Sequence, residues 1–168
     1  MTIEVDYRYP VSTTKLYEKL TDPAFLQAKY ESVGSRKVDI SECGLDDDVF
    51  RIEWTREVPS NPPGFARKFL AEWNRLEEIM EWSREADGSV RGDYEGQVTG
   101  FPGKLQGEFD IVADAEGCVE RIRMRAVVSI PLLGKKIASF VEEDARRSLE
   151  GEDAYTRAQL APGKRRKR

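Results

Sequence analysis

The stretch KLQGEFDIVADAEGCVERIRMRAVVSI (104–130), followed by PLLGKKIASFVEEDARRSLEGEDAYTRA (131–158), decides the fold. Its first half alternates. Leu105, Phe109 and Ile111 share one face with Ile122, Met124, Ala126, Val128 and Ile130; Glu108, Asp110, Arg121, Arg123 and Arg125 share the other. A period of two with one apolar face marks half-buried strands. The turn Asp114–Gly117 makes them a hairpin over 104–113 and 118–130. In that register Asp110 opposes Arg121 and Glu108 opposes Arg123, so the arginines read as cross-strand charge pairing on a solvated face rather than as an anion site. Pro131 ends the sheet, because proline has no N–H to give a ladder. Beyond it the period changes. Leu133, Ile137, Val141, Ala145 and Leu149 recur every four residues, with Phe140 and Ser148 beside them and Lys135, Lys136, Glu142, Glu143, Arg146 and Arg147 on or beside the other face. This predicts an amphipathic helix over 132–158, weakened or kinked at Gly151.

Upstream, residues 2–9 alternate with Ile3, Val5, Tyr7 and Tyr9 on one face, and Pro10 stops the strand. Ser12 caps a helix over 13–20; Asp22 with Pro23 opens a second, and Gly34 closes it. Strands over 36–43 and 49–58 flank an acidic turn, Gly44–Asp48. Its Asp46, Asp47 and Asp48 lack the spaced ligands and distal Glu of a calcium loop. Pro59–Gly64 is a connector, and 65–70 forms a brief helical turn. Strands over 74–85 and 89–99 meet at Asp87–Gly88; a bulged turn with Gly88 left-handed sets Trp82 and Met80 opposite Tyr94 and Gly96.

The chain has 168 residues, 39% of them hydrophobic and 35% charged, which suits one domain that folds without disulfide or metal. No apolar run is long enough to span a bilayer, and Met1–Pro10 lacks the layout of a signal peptide, so a cytoplasmic protein is expected. Cys43 and Cys118 are expected as reduced thiols. Histidine is absent, which removes Ser-His-Asp and Cys-His arrangements and imidazole-bound zinc. Neither a cofactor nor a metal is expected. Net charge is −4, and since Lys164–Arg168 contribute +5, the rest of the chain carries −9. An acidic body argues against nucleic acid as a partner. The division is a domain over 1–160 and a disordered basic tail over 161–168, read first as a solubilising end and second as a weak peripheral contact with anionic membrane.

One strand, two short helices, six antiparallel strands and one long helix make an α+β chain. The architecture is a helix-grip: a seven-stranded curved sheet whose apolar face only the terminal helix can cover. Leu20–Phe25 resembles the start of the second short helix in the START-like (SRPBCC) superfamily, which includes lipid-transfer domains and birch-pollen-allergen relatives. Tyr9–Val11, Asp22–Phe25 and Ile130–Lys136 resemble more narrowly a bacterial family within it that has no assigned function. The resemblance spans residues 1 to about 160 and implies a cavity for a hydrophobic ligand under the long helix.

The inner-face candidates for lining that cavity are Tyr7, Tyr9, Phe50, Ile52, Trp54, Trp82, Tyr94, Phe109, Met124 and Phe140. Gly92, Gly96, Gly100 and Gly107 would leave volume and let strands bend. Three functions compete. The first is non-enzymatic binding or transport of a lipid, polyketide or isoprenoid-like molecule, which expects few buried ionisable groups. The second is a cyclase/aromatase- or hydrolase-type enzyme, for which Glu81 and Glu72 are the inward-leaning carboxylates and Tyr7 and Tyr94 the proton donors. The third is a protein-interaction module without a ligand.

Overall fold

The computed structural model describes residues 2–161. Its elements, in chain order, are β1 (Ile3–Tyr9), α1 (Thr13–Leu20), α2 (Pro23–Ser32), β2 (Arg36–Asp46), β3 (Val49–Pro59), β4 (Trp73–Arg84), β5 (Val90–Val98), β6 (Gly103–Asp114), β7 (Gly117–Val128) and α3 (Gly134–Leu160). The seven strands form one curved antiparallel sheet in the order β1-β7-β6-β5-β4-β3-β2. The chain therefore leaves one edge after β1 and re-enters at the other with β2. The two short helices make that crossing, and the caps explain where they begin: Ser12 Oγ accepts from Lys15 N at 3.1 Å and Asp22 Oδ1 from Ala24 N at 3.1 Å. Gly34, with φ +91°, closes α2 from the left-handed region. No helix among the described residues is long and apolar enough to cross a membrane. The tail lies, from residue 162 on, outside the described residues.

The β6–β7 register places Asp110 opposite Arg121 and Glu108 opposite Arg123, as the alternation requires. Two ion pairs of this face reach a third strand instead: Arg91 holds Glu108 at 3.2 Å and Arg123 holds Glu4 at 4.0 Å. The β4–β5 register is shifted by two residues from the expected one. Gly88 is left-handed at φ +87°, but the loop is Ala86–Gly88, so Met80 faces Tyr94 and Trp82 faces Gly92. A shift of two keeps every side chain on its face. The Trp82 indole lies across Gly92, where a Cβ would sit 2.7 Å from the ring. The glycine thus accommodates a ring rather than leaving volume.

Apolar side chains gather in two clusters. One joins β1 and the inner faces of β3–β7 to α1, α2 and the C-terminal half of α3, with Leu16, Ile52, Trp54, Trp82, Ile111 and Leu149 buried in it. The other joins the 59–72 connector to the start of α3, through Ala66, Leu70, Phe101 and Ile137. α3 begins at Gly134, later than the periodicity indicates, because Pro131–Leu133 form a turn with Leu132 exposed at φ +66°. The helix runs unbroken through Gly151. That residue is small because α2 ends against it: a Cβ there would lie 2.8 Å from Val33 Cγ1. Gly151→Val should therefore destabilise the protein by roughly 1–3 kcal/mol despite its better helix propensity. Adding Val33→Ala should restore most of the loss, as read by urea unfolding.

Candidate functional site

A cavity of about 450 Å³ lies between the concave face of the sheet and α3, its wall drawn from both apolar clusters. Ile52, Trp54, Trp82, Tyr94, Phe109, Met124 and Phe140 line it. The rings are packed on one another: Trp54 against Tyr94 at 6.4 Å between centroids, Tyr94 against Phe109 at 5.8 Å, and Trp82 against Phe109 at 6.3 Å. The other three candidates, Tyr7, Tyr9 and Phe50, share the inner face but are not part of this wall. Tyr9 is a pin: its hydroxyl donates to Asp153 Oδ1 at 2.8 Å and ties β1 to the end of α3. Phe50 stands opposite Trp82 in the β3–β4 register. Tyr7 packs over the β1–β7 edge, where its buried hydroxyl has no hydrogen-bond partner and burial pushes it up to about 12.

The wall also carries charge that the alternation of apolar residues did not reveal, and more of it than the few buried ionisable groups expected of a carrier. Arg56 Nε and Nη2 donate to the two oxygens of Glu78 at 2.8 and 2.9 Å, and Arg56 Nη1 donates to Ser35 Oγ at 2.9 Å. Tyr94 donates its hydroxyl to Glu78 Oε1 at 2.7 Å. Gly96, directly across from Glu78, has no side chain because the Tyr94 phenol lies over it on the way. The Arg56 guanidinium sits 4.0 Å above the Tyr30 ring, which is stacked on Trp54. Burial alone would lower the guanidinium, but the charge and hydrogen bonds of Glu78 outweigh it and hold it above its usual range. Burial and the Glu78 charge likewise push the Tyr94 phenol well up, so it remains a donor. Lys29, from α2, pairs with Glu152 of α3 at 3.8 Å and lies 4.9 Å from the Tyr30 ring centre. Both cations are held beside one aromatic ring.

Glu120 of β7 is different. It lines the cavity and is 7% exposed, yet no ion pair or hydrogen bond reaches its carboxyl among the described residues. Burial pushes it up to about 7; Lys29 opposes this, and Glu152 and Asp153 add to it. The group can hold or release a proton near neutrality, as an imidazole does, in a chain that has no histidine. These charges were legible in principle. Arg56 is in phase with Ile52 and Trp54, Glu78 with Met80 and Trp82, and Glu120 with Ile122 and Met124.

The two carboxylates expected to lean inward do not. Glu81 is an odd-numbered residue in a strand whose even positions face in, so it points outward and pairs with Arg51 at 2.9 Å. Glu72 is exposed in the connector just before β4. Glu142, placed by periodicity on or beside the solvated face of α3, is buried and accepts from Ala126 N at 3.0 Å. The paired part of β1 ends opposite Met124, and this N–H lies beyond it, so the helix supplies its acceptor. Cys118 is buried in β7, Cys43 is exposed in β2, and both are free. Among the described residues no three His, Cys, Asp or Glu side chains group to hold a metal.

The elements and their order define the helix-grip fold, the fold of START-like proteins. Over residues 4–160 the chain matches the family described as "Protein of unknown function (DUF2505)", and it belongs to that family. No curated protein matches it. Solved structures with the same fold include a STAR-related lipid transfer protein fragment from Xanthomonas axonopodis (14% identity, TM-score 0.63, covering 96% of this chain and 86% of that one). Protein Ms6760 from Mycobacterium smegmatis is similar at 9% identity and TM-score 0.61, over 95% of this chain and 90% of that one. Ara h 8.0201 is similar at 14% identity and TM-score 0.60, over 95% and 97%. At these identities the likeness is one of fold.

Two outcomes follow from the buried charges. Arg56→Met should cost roughly 3–5 kcal/mol by stranding Glu78, whereas Arg56→Met with Glu78→Met should cost clearly less, as measured by a double-mutant cycle in denaturant. Glu120, with a folded-state pKa above its ordinary 4.5, destabilises the fold as pH rises through 4.5 to about 7. Glu120→Gln should therefore gain on the parent protein by about 3 kcal/mol between pH 4.5 and pH 8, levelling off above the upper value. Unfolding curves at the two pH values check it.

Proposed function

We propose that this chain binds or carries, without turning it over, a small molecule with an apolar body and one polar end. The observation that carries the reading is the cavity itself. It has the size of a small-molecule site, and aromatic and aliphatic walls meet a group of buried charges gathered round Tyr30. A purely apolar cargo would leave the desolvated carboxyl of Glu120 without a partner. Lipid, polyketide-like and isoprenoid molecules with a polar terminus fit this description. The name of the X. axonopodis lipid transfer protein, a structure of the same fold, supports the class. The ligand-contacting residues in this proposal are Ile52, Trp54, Trp82, Tyr94, Phe109, Met124 and Phe140, and the setting is cytoplasmic.

A second reading, an acid–base enzyme in the same cavity, is favoured by Glu120 alone. A buried carboxyl that titrates close to neutrality is suited to proton transfer. The third, an interaction module without a ligand, has less behind it. The large apolar residues exposed among those described, Leu45, Trp73, Val127 and Leu132, stand on separate segments, and the Arg36 guanidinium covers Trp73 at 3.7 Å.

Organic extraction of the purified protein followed by mass spectrometry should recover one apolar compound in near-stoichiometric amount. Ala145→Phe, which fills the cavity from α3, should fold normally and lose that compound. Returned to the protein, the compound should come back with its mass unchanged; a new mass would favour the enzyme. Recovery of nothing from the parent protein would remove the carrier reading.

A further inference from the structure

Resting on the carrier reading, we propose that the polar end of the ligand is a cationic amine and that Glu120 is its partner. Three cations, Lys29, Arg56 and Arg147, face four carboxylates, Glu78, Glu120, Asp144 and Glu152, and Arg147 is taken by Asp144. Arg56 is taken by Glu78, with both oxygens engaged, and Lys29 by Glu152. Glu120 is left over, nine-tenths buried, lining the cavity and unpartnered. A buried carboxylate is stable when it is paired, and among the described residues no cation lining the cavity is left to pair with it. The cavity is the remaining direction from which a partner can come.

The surroundings select the sign of that partner. Glu152 and Asp153 of α3 add negative potential at Glu120; Lys29 of α2 opposes them, but from within its own pair. Tyr7 of β1, directly across in register, brings a neutral hydroxyl. An anionic headgroup would meet a surplus of negative charge. A neutral hydroxyl would hydrogen-bond to Glu120 but leave the charge in place. An ammonium group would both accept the pairing and cancel the surplus. The ligand class is thus a hydrophobic amine, with its body along the aromatic wall and its ammonium at β7.

The test uses three probes with the same hydrocarbon body, decylamine, decanol and decanoate, titrated calorimetrically into the full chain at pH 7.5. Decylamine should bind at least about tenfold tighter than decanol, and decanoate weakest. Glu120→Gln should bring decylamine down to the level of decanol, and Glu120→Asp should retain most of the preference. Below pH 6 the amine preference should shrink as Glu120 becomes protonated. Comparable binding of all three, tightest binding of decanoate, or an undiminished amine preference in a folded Glu120→Gln protein would each overturn the amine assignment and leave the carrier reading standing. Binding of none of the three would overturn both. The ranking in the unaltered protein decides the matter even where a variant fails to fold.

Discussion

A seven-stranded antiparallel sheet with one apolar face cannot leave that face to water, and among the described residues α3 is the one long helix that covers it. The rest of the structure follows from how a straight rod meets a curved surface. At about 1.5 Å per residue, its 27 residues give a helix of about 40 Å, long enough to cross the sheet from end to end. The rod is seated at both ends, on the cluster around Ile137 and on the cluster around Leu149. Between these seats the concave face falls away from it. The hollow follows from curvature, and the aromatic rings around it are held by one another and by the glycines they lie across.

The polar part of the wall shows how such a hollow tolerates charge. Arg56 and Glu78 are desolvated together, with Tyr94, Ser35 and the Tyr30 ring satisfying their remaining valences. Such an arrangement contributes little net stability, because its attraction mostly offsets its desolvation. It does hold Tyr30, Trp54 and Tyr94 in a single mutual geometry. Lys29 and Glu152 perform a second task by joining α2 to α3 across the rim. Glu120 has no such structural partner, which makes it the feature of the wall that packing alone does not explain.

The fold was legible because it rests on local signals. Caps at Ser12 and Asp22, stops at Pro10 and Pro131, and the change of period after Ile130 each act over a few residues. Six of the inner-face strand candidates line the cavity, joined by Phe140 of α3, because strand parity survives a register error: the β4–β5 pairing is shifted by two, and no side chain changes sides. Parity also condemned Glu81, whose neighbours Met80 and Trp82 face in. The same parity marked Arg56, Glu78 and Glu120 as inward, yet a charged residue among apolar ones reads as an interruption when its partner is distant in sequence.

By itself the sequence determined the elements, their order, which face of each strand is apolar, and hence that a long helix must lie over a bent sheet. These are properties of residues within reach of each other along the chain. The tertiary structure alone decided that Arg56 finds Glu78, that Lys29 finds Glu152, that Glu142 serves the N–H of Ala126, and that Glu120 finds no partner among the described residues. The physical reason is one of range. Secondary structure is set by spacing over a few residues, whereas the pairing of a buried charge depends on which of many distant groups the closed fold brings within about 3 Å.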